Sequence, residues 1–479
     1  MTGNSSQIAE RSADDRTLAL REKAEIEVRF GRHINRGQLD YLRAGRLDLV
    51  ECRREGIGFS DLANGRQFID CFTSAGCFNV GRHNPEMLNA LEEAINSVDM
   101  GSYDMVSPYK VALAKKLVSV APGDLNRLLF AAGGGDAIDA AIKLARGATR
   151  RKEVIACVKA YHGHTGLALS ANGKEHYRGH FEPLDPAFRF VPFNDLRAAE
   201  AVASDQTAAI ILEPVQGEAG IFVATDDYLL GLRRLCDRVG AVLILDEIQT
   251  GFCRTGRFFA CEHSGVVPDI MTVAKSLGGG LYPNAAVLYR DTDLLVSYVE
   301  GNPSFHPSYS GGSDIGCRLS LQVLEYLERN RLWENAEKMG ARLKEALIKL
   351  RDENPGVIKE VRGKGLMIGI EYLHEFMGPM MSQALARHGV LAAFSGNAPQ
   401  VMRFMPPIVI TDEEMNILIR GIREAVKSMN TLLPLALPAA RIPAVLKLLN
   451  NERVQTLLFG WVRSIEDAIS LGVSAVRGR

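Results

Sequence analysis

Short apolar runs alternate with segments of helical pattern between about residues 90 and 325. Six of these runs predict β-strands: Arg127–Phe130, Val154–Val158, Ala208–Leu212, Ala241–Leu245, Ile270–Val273 and Ala285–Tyr289. Several of the runs are apolar throughout, which is expected of strands that helices cover on both faces of a mostly parallel sheet. The alternation therefore predicts an α/β fold.

The flanking parts of the chain carry other signals. The turn Asn64-Gly65 separates the strand-like pieces Ile57–Phe59 and Phe68–Ile69, which indicates a β-hairpin. Helical patterns outside the alternating region are Arg16–Phe30, residues 317–350 and a segment that the capping sequence Thr411-Asp-Glu-Glu begins. After Thr431 a stretch rich in Pro, Leu and Ala leads to two more helical patterns, Val445–Leu457 and Trp461–Leu471.

The composition limits the classes of protein to which the chain can belong. Hydrophobic residues make up 47% and charged residues 24%, as in soluble globular proteins. The 56 basic and 57 acidic residues form no block of like charge, so we expect neither a nucleic acid nor a membrane as a partner. We expect no export signal and no membrane span, because no apolar stretch approaches the roughly 20 residues that cross a bilayer. The eight cysteines are scattered without a Cys-x-x-Cys pair, which indicates a cytoplasmic location and no metal site.

A lysine stands among apolar residues just after one of the predicted strands. Lys275 follows Val273 and Ala274, and Asp246 ends the strand Ala241–Leu245 earlier in the chain. Desolvation in such a setting lowers the pKa of an amine and makes it the nucleophile that imine formation requires. The alternative is that Lys275 extends to solvent and that Asp246 is a salt-bridge partner.

Three consecutive glycines, Gly133, Gly134 and Gly135, join a predicted strand to a predicted helix. Glycines let the backbone approach an anion closely, and the helix then directs its free N–H groups and positive dipole end at that anion. A phosphate is the natural ligand, although the sequence has neither the P-loop nor the dinucleotide fingerprint. The alternative is a tight turn without a ligand.

Aromatic and acidic residues follow other predicted strands. Tyr161, beside His162, can stack on a flat heterocycle, or it can be an ordinary core residue. Glu213 and the pair Asp246 and Gln249 follow two buried runs. A buried carboxylate there needs a cationic partner, which a salt bridge or a protonated pyridine nitrogen can provide. A phosphate cradle, a stacking aromatic, an acid for a ring nitrogen and an imine-forming lysine are together what pyridoxal 5′-phosphate (PLP) requires.

The order and spacing of these motifs resemble those of the class III (ω-amino acid type) aminotransferases, a family of fold-type-I PLP enzymes. The resemblance covers about residues 50–425 and is most specific in Ile211–Gly220, Leu245–Gly256 and Pro268–Lys275. The stretch from Phe68 to Pro85 looks most like the putrescine and related diamine or ω-amine members.

The resemblance implies two domains and an extension. The large PLP-binding domain, with a mostly parallel seven-stranded sheet, would span residues 91–325. A small α+β domain would combine residues 1–90 with residues 326–430. Residues 431–479 would form a helical C-terminal extension, which either packs on the small domain or docks to a partner protein of a biosynthetic assembly.

The resemblance also implies roles for single residues. Lys275 would hold the cofactor covalently and act as general acid/base, Asp246 would pair with the pyridine nitrogen, and Gln249 would contact the ring hydroxyl. Tyr161 would stack on the ring, and His162 would lie close to the phosphate. The full cofactor-binding set would be Gly134, Gly135, Tyr161, His162, Glu213, Asp246, Gln249, Lys275, Tyr309 and Ser310. For the substrate, Arg403 would bind a carboxylate, and Glu218 would pair with Arg403 when no dicarboxylate is bound.

Three positions depart from the family pattern. The phosphate loop has three glycines where hydroxyl residues are usual. The segment Ser308–Gly312, which would reach over from the partner subunit, has Tyr309 in the place of a threonine, so it stays open which hydroxyl reaches the phosphate. His164 stands where an arginine often binds an α-carboxylate, which favours an amine or aldehyde as one substrate.

These implications predict a PLP-dependent aminotransferase. It would be a homodimer that moves an amino group between an amino acid donor and an aldehyde, ketone or ω-amine substrate in a ping-pong cycle. Glutamate with 2-oxoglutarate, or alanine with pyruvate, would serve the other half-reaction. Two alternatives are an aminomutase on the same fold and a non-catalytic ligand-binding or scaffold protein. The mutase would need no external amino acceptor, and the scaffold would have no reason to keep Lys275 and Asp246.

Overall fold

The computed structural model describes residues 13–44 and 47–440. The strands are β1 (Glu51–Glu55), β2 (Gly58–Asp61), β3 (Gln67–Asp70), β4 (Arg127–Ala131), β5 (Glu153–Cys157), β6 (Phe188–Val191), β7 (Thr207–Leu212), β8 (Val215–Gln216), β9 (Phe222–Val223), β10 (Val242–Asp246), β11 (Ile270–Val273), β12 (Ala285–Tyr289), β13 (Ile358–Lys364), β14 (Met367–Tyr372), β15 (Val390–Leu391), β16 (Ala393–Ser395) and β17 (Ala398–Phe404). The α-helices of five or more residues are Ala13–Phe30, Arg36–Ala44, Pro85–Ser97, Pro108–Val120, Gly134–Thr149, Gly166–Ala171, Leu196–Val202, Asp226–Val239, Asp293–Gly301, Asp314–Arg329, Leu332–Glu353, Met377–Arg387 and Asp412–Ala440.

A seven-stranded sheet in the order β4-β12-β11-β10-β7-β5-β6 forms the centre of the molecule. β5, β6, β7, β10 and β11 run parallel, whereas β12 is antiparallel to both of its neighbours. All six strands predicted from the apolar runs are confirmed within one residue at each end. β6 is the strand that was not predicted.

Both faces of this sheet are buried at its central strands, which explains why β7 and β10 are almost entirely apolar. Successive residues of β7 alternate between the two sides: Ala209 and Ile211 pack into one hydrophobic core cluster, and Ile210 and Leu212 into another. The residues of β10 alternate in the same way. Because the carboxyl ends of β7, β10 and β11 lie at one edge of the sheet, the residues that follow them come together there.

Two smaller sheets are built from the ends of the chain. The predicted hairpin is confirmed as the antiparallel pair β2 and β3. β3 also pairs in parallel with β15, so that Ile69 lies opposite Val390. The other sheet has the order β13-β14-β17-β16. The pairing of β3 with β15 supports a small domain made of two separate parts of the chain, and the boundaries at residues 90, 326 and 430 stay a prediction.

The last described helix begins where the sequence predicts. The Thr411 hydroxyl accepts a hydrogen bond from the Glu414 N–H at 3.2 Å, and the Glu414 carboxylate accepts one from the Thr411 N–H at 2.8 Å, which forms a capping box. The helix continues past Thr431 to Ala440. The predicted helices Val445–Leu457 and Trp461–Leu471 lie outside the described residues. Among the helices that the structure describes, none has the length and apolar character required to cross a bilayer.

Candidate active site

A cavity of about 320 Å³ lies at the carboxyl edge of the large sheet. It brings together most of the residues singled out from the sequence. Those that line it are Gly134, Gly135, Tyr161, His162, Glu213, Glu218, Asp246, Gln249 and Lys275. Arg403 lies behind Glu218, and Tyr309 and Ser310 are not among the lining residues that the structure describes.

Lys275 is the first residue of a short 3₁₀ turn that follows β11. Its backbone has a φ of 46°, in the left-handed region that residues other than glycine seldom adopt. Burial lowers the pKa of its amine, against the opposing effects of Cys77 and of nearby carboxylates. The lysine therefore holds more of the free, nucleophilic amine near neutral pH than an exposed lysine does.

Asp246 ends β10 and is paired with His162. Its Oδ2 atom lies 2.8 Å from Nδ1 of His162, and its Oδ1 atom accepts a hydrogen bond from the Ile248 N–H at 3.0 Å. Burial alone would lower the pKa of His162, but the hydrogen bond and charge of Asp246 outweigh it and raise that pKa. His162 lines the cavity together with the glycine loop, and its Nε2 atom is buried and unpartnered; its predicted place close to a phosphate stays a prediction.

Glu213 follows β7 and has backbone partners rather than a cation. It accepts hydrogen bonds from the N–H groups of Tyr161 at 3.0 Å and Gly217 at 3.2 Å. Burial, reinforced by the charge of Asp246, raises the pKa of Glu213 to about 7, although the charge of His162 opposes the rise. This carboxyl is therefore close to half-protonated at neutral pH.

Replacing Glu213 with glutamine should remove a pH dependence of stability. The pKa of Glu213 is 4.5 when exposed and about 7 in the fold, so between these pH values the folded chain holds a proton that the unfolded chain has lost. The free energy of unfolding therefore falls as the pH rises through this range, by about 3 kcal/mol. Denaturant titrations across the range should show this fall in wild type and in the exposed control Glu345→Gln, but not in Glu213→Gln. An unchanged pH dependence in Glu213→Gln would contradict the assignment.

The orientation of the Gln249 amide is fixed by the backbone. Its Nε2 atom donates to the Ala75 carbonyl at 3.0 Å, which leaves Oε1 as a buried acceptor without a partner. Ala75 belongs to a strained turn in which Thr73, Ser74 and Ala75 all have left-handed backbone angles, with φ of 51°, 50° and 60°. The carbonyl of this turn thus fixes the Gln249 amide, and the Oε1 atom of Gln249 is left to accept a hydrogen bond from a ligand in the cavity.

The three glycines begin the helix Gly134–Thr149 and differ in the space around them. A Cβ atom on Gly135 would lie 2.8 Å from Oγ1 of Thr165, whereas a Cβ on Gly133 would meet no atom within 4 Å. The free N–H groups and dipole of this 16-residue helix favour an anion at its start. Thr165 also brings a hydroxyl beside the loop, a contact that the sequence did not indicate.

Tyr161 belongs to a triangle of aromatic rings. Its ring centroid lies 5.4 Å from that of His164 and 5.3 Å from that of Tyr177, both in edge-to-face geometry. Tyr161 lines the cavity, so its ring has one side available to a ligand. The two neighbouring rings hold the tyrosine in place.

The predicted pair of Arg403 and Glu218 is formed. The Arg403 guanidinium donates to one carboxylate oxygen of Glu218, and the Gly396 N–H donates to the other at 3.0 Å. Burial opposes ionisation, but the charge of Arg403 holds the pKa of Glu218 below its usual value. Arg403 is buried, and its Nε atom has no partner. Glu218 therefore separates a buried arginine from the cavity.

Tyr309 and Ser310 do not line the cavity of the described chain. The side chain of Tyr309 is 74% exposed. Several lining residues were not singled out from the sequence, namely Gly163, Val215, Ile248, Ala274, Pro283 and Asn284. Ala274 was detectable as the residue before Lys275. Pro283 and Asn284 follow no predicted strand, so no local signal marked them.

Comparisons with known proteins agree with this geometry. The sequence model described as Aminotransferase class-III matches residues 45–426. An uncharacterized aminotransferase of Archaeoglobus fulgidus is 41% identical over 396 residues, which cover 83% of this chain and 92% of that protein.

Solved structures with the same fold are also aminotransferases. Ornithine aminotransferase from Toxoplasma gondii, with PLP at partial occupancy in its active site, matches with a TM-score of 0.76 and 29% identity over 80% of this chain and 91% of that chain. An (S)-enantioselective ω-transaminase from Thermomicrobium roseum matches with a TM-score of 0.74 and 30% identity over 79% of this chain and 92% of that chain. With the family match spanning most of its length, the chain belongs to the class-III aminotransferases.

Proposed function

We propose that this PLP-dependent aminotransferase moves an amino group between an amine-bearing substrate and a keto acid or aldehyde in the two half-reactions of a ping-pong cycle. The observation that carries the proposal is that the Lys275 amine, with its lowered pKa, and the Asp246 carboxylate line one cavity. Class-III aminotransferases use PLP, which supplies an aldehyde for a lysine and a ring that takes up electrons when the substrate Cα–H bond breaks.

The residues of the cavity fit this cofactor. The glycine loop and the helix start at Gly134 suit a phosphate, and the unpartnered Oε1 atom of Gln249 suits a ring hydroxyl. Asp246 suits a protonated ring nitrogen, because it is a carboxylate that faces the cavity and the imidazole of His162, 2.8 Å from its Oδ2 atom, holds it in place. Tyr161 would cover one face of the ring.

Lys275 would move the proton in the reaction. Its lowered pKa keeps a share of the amine unprotonated. This amine could therefore accept a proton from the substrate Cα and deliver it to the aldehyde carbon of the cofactor. Mixing the protein with candidate donors and acceptors, while the absorption band of the bound cofactor is followed, tests the proposal. The band should change with a donor and return with an acceptor. A band that no amine, amino acid or keto acid changes would refute transamination.

The open space at Gly133 predicts opposite effects of two loop substitutions on cofactor affinity. Gly133→Ser adds a hydroxyl beside the phosphate, where backbone of φ −173° and free space accept a side chain. One hydrogen bond to a charged group should tighten binding about tenfold. Gly135→Thr should weaken binding, because its Cβ would crowd Thr165. Fluorescence titration would give the dissociation constant of the cofactor for each variant. A change of the same direction and size in Gly133→Ser and Gly135→Thr would contradict the geometry.

The pair of Glu218 and Arg403 supports a carboxylate-bearing substrate in one half-reaction. We propose that Glu218 covers Arg403 while an amine without a distal carboxylate is bound, and that it moves aside for a dicarboxylate such as 2-oxoglutarate. His164, in place of an arginine, favours an amine or aldehyde in the other half-reaction. Glutamate with 2-oxoglutarate, or alanine with pyruvate, are the pairs to test first.

Arg403→Gln should separate the two half-reactions. Loss of the guanidinium should raise KM for a keto acid about 100-fold, since hydrogen bonds to charged groups are strong, and should change KM for the amine only a few-fold. The exposed control Arg420→Gln should leave both values unchanged. Steady-state kinetics with each substrate varied in turn would measure this. An equal rise in both KM values would show that Arg403 does not select the keto acid.

We further propose that the working unit is a cytoplasmic homodimer. Tyr309, whose side chain is exposed, and the neighbouring Ser310 would complete the partner's phosphate site. The exposed apolar side chains of Tyr103, Met105 and Val106 support an interface, because large exposed apolar patches mark contact surfaces.

A further inference from the structure

A second cavity, of about 500 Å³, lies at the opposite end of the helix Gly134–Thr149 from the glycine loop. Five basic residues line it: Lys143, Arg146, Arg150, Arg151 and Lys152. None of the lining residues within the described part of the chain is acidic. Because the whole chain has 56 basic and 57 acidic residues, this cluster is a local excess of positive charge.

Two of the five cations have structural partners. Arg146 pairs with Asp185 at 2.5 Å. The Arg151 guanidinium donates to the carbonyls of Thr207 at 3.1 Å and Val239 at 2.8 Å. These contacts hold the helix end against the sheet, so Arg146 and Arg151 form the base of the cavity.

The other three cations form no salt bridge with the residues that the structure describes. Within residues 13–44 and 47–440, no carboxylate lies within salt-bridge distance of Lys143, Arg150 or Lys152, and all three are exposed. The Nζ atom of Lys143 lies 2.9 Å from Nδ1 of His306, whose Nε2 atom lies 2.9 Å from Asp136. Lys143 is thus oriented by a histidine but not neutralised, which lowers the entropy cost of binding an anion.

Arg150 occupies a backbone position that normally favours glycine. It ends the helix with φ 57° and ψ 25°, the left-handed conformation in which a side chain costs conformational free energy. Attraction to the negative end of the helix dipole explains a basic residue in the last turn. It does not explain an arginine at this strained position, because Arg146 already lies in the last turn.

Two aromatic rings form a wall of the same cavity. The ring centroids of Tyr298 and Phe305 lie 5.5 Å apart in edge-to-face geometry. Tyr298 packs directly on the helix, because Gly147 has no side chain; a Cβ there would lie 2.1 Å from the tyrosine ring. The cavity therefore has cations on one side and two aromatic rings on the other.

We propose that this cavity binds a nucleoside polyphosphate. Lys143, Arg150 and Lys152 would contact the phosphate groups, and the base would lie against Tyr298 and Phe305. At a rise of about 1.5 Å per residue, Lys143 stands about 14 Å and Arg150 about 24 Å along the helix from Gly134, so the ligand of this site is separate from the cofactor.

Titration of the cofactor-loaded enzyme with ATP in a calorimeter tests the proposal. Wild type and the control Lys349→Gln should bind ATP, and Arg150→Gly should bind it at least about tenfold more weakly, since a charge-assisted hydrogen bond is lost. Glycine suits the left-handed backbone, so the thermal midpoint and the basal activity of Arg150→Gly should not fall. Unchanged ATP affinity in Arg150→Gly, or no binding of ATP to wild type, would overturn the proposal.

Two further ligands separate the parts of the site. Tripolyphosphate should bind more weakly than ATP because it lacks the base, and adenosine should bind more weakly because it lacks the phosphates. Tripolyphosphate that binds as tightly as ATP would overturn the role of Tyr298 and Phe305. Adenosine that binds as tightly as ATP would overturn the role of the three cations.

Discussion

Lys275→Ala should lose at least about 10²-fold in the rate of transamination, because proton transfer by a positioned side chain alone contributes about 10²–10⁴-fold. The variant also loses the covalent attachment of the cofactor. The fold should be unaffected, since alanine has the same Cβ in the left-handed position at residue 275 and removes a buried amine. The expected defect therefore lies in chemistry and not in stability.

The measurement combines kinetics with chemical trapping. Turnover at saturating PLP gives the rate, and borohydride reduction followed by peptide mass spectrometry shows which lysine carries the cofactor. Wild type and the exposed control Lys349→Gln should carry a pyridoxyl group at residue 275. Trapping at another lysine, or more than about 1% residual activity in Lys275→Ala, would refute the assigned role.

Asp246→Asn should reduce turnover by about 10²–10³-fold, the cost of removing one preorganised charged group from an enclosed site. Asparagine has nearly the same shape, and its Oδ1 atom can still accept the hydrogen bond from the Ile248 N–H. The change therefore removes the charge and keeps the packing. His162 loses the carboxylate that raises its pKa, so the imidazole of this buried histidine should become neutral.

A second readout distinguishes this electrostatic role from a structural one. In NMR titrations the imidazole of His162 should lose its proton at a lower pH in Asp246→Asn than in wild type, whereas the exposed control Asp205→Asn should leave it unchanged. Thermal midpoints should be similar for the three proteins. Full turnover in Asp246→Asn would mean that the charge at residue 246 is not required.

The central sheet was predictable because its strands leave an unambiguous pattern. β7 and β10 are buried on both faces, so every position is apolar except the end residues Thr207 and Asp246, and the runs stand out. β6 was missed because it is an edge strand whose Arg189 is exposed, which interrupts the apolar run. The two-residue strand β15 has no local signal, and its pairing with β3 depends on contacts between distant parts of the chain.

The same physics divides the site residues into predictable and unpredictable ones. Asp246 and Lys275 directly follow buried strands, so the sequence marks them. The contact of His162 with Asp246 joins the loop after β5 to the end of β10, and β7 lies between these strands in the sheet. No local sequence pattern specifies the order of the strands in a sheet. A contact between residues on non-adjacent strands can therefore be found only from the tertiary structure. The approach of Thr165 to Gly135 was hidden for the same reason.

The pairing of β3 with β15 also affects how the chain folds while it is being translated. Ile69 and its partner Val390 are 321 positions apart, so one edge of β3 stays uncovered while the residues between them are translated. At about 5–20 residues per second this interval is on the order of tens of seconds. A nascent chain with an unsatisfied strand edge for that long is exposed to aggregation, so production of the enzyme should improve at low temperature or with abundant chaperones.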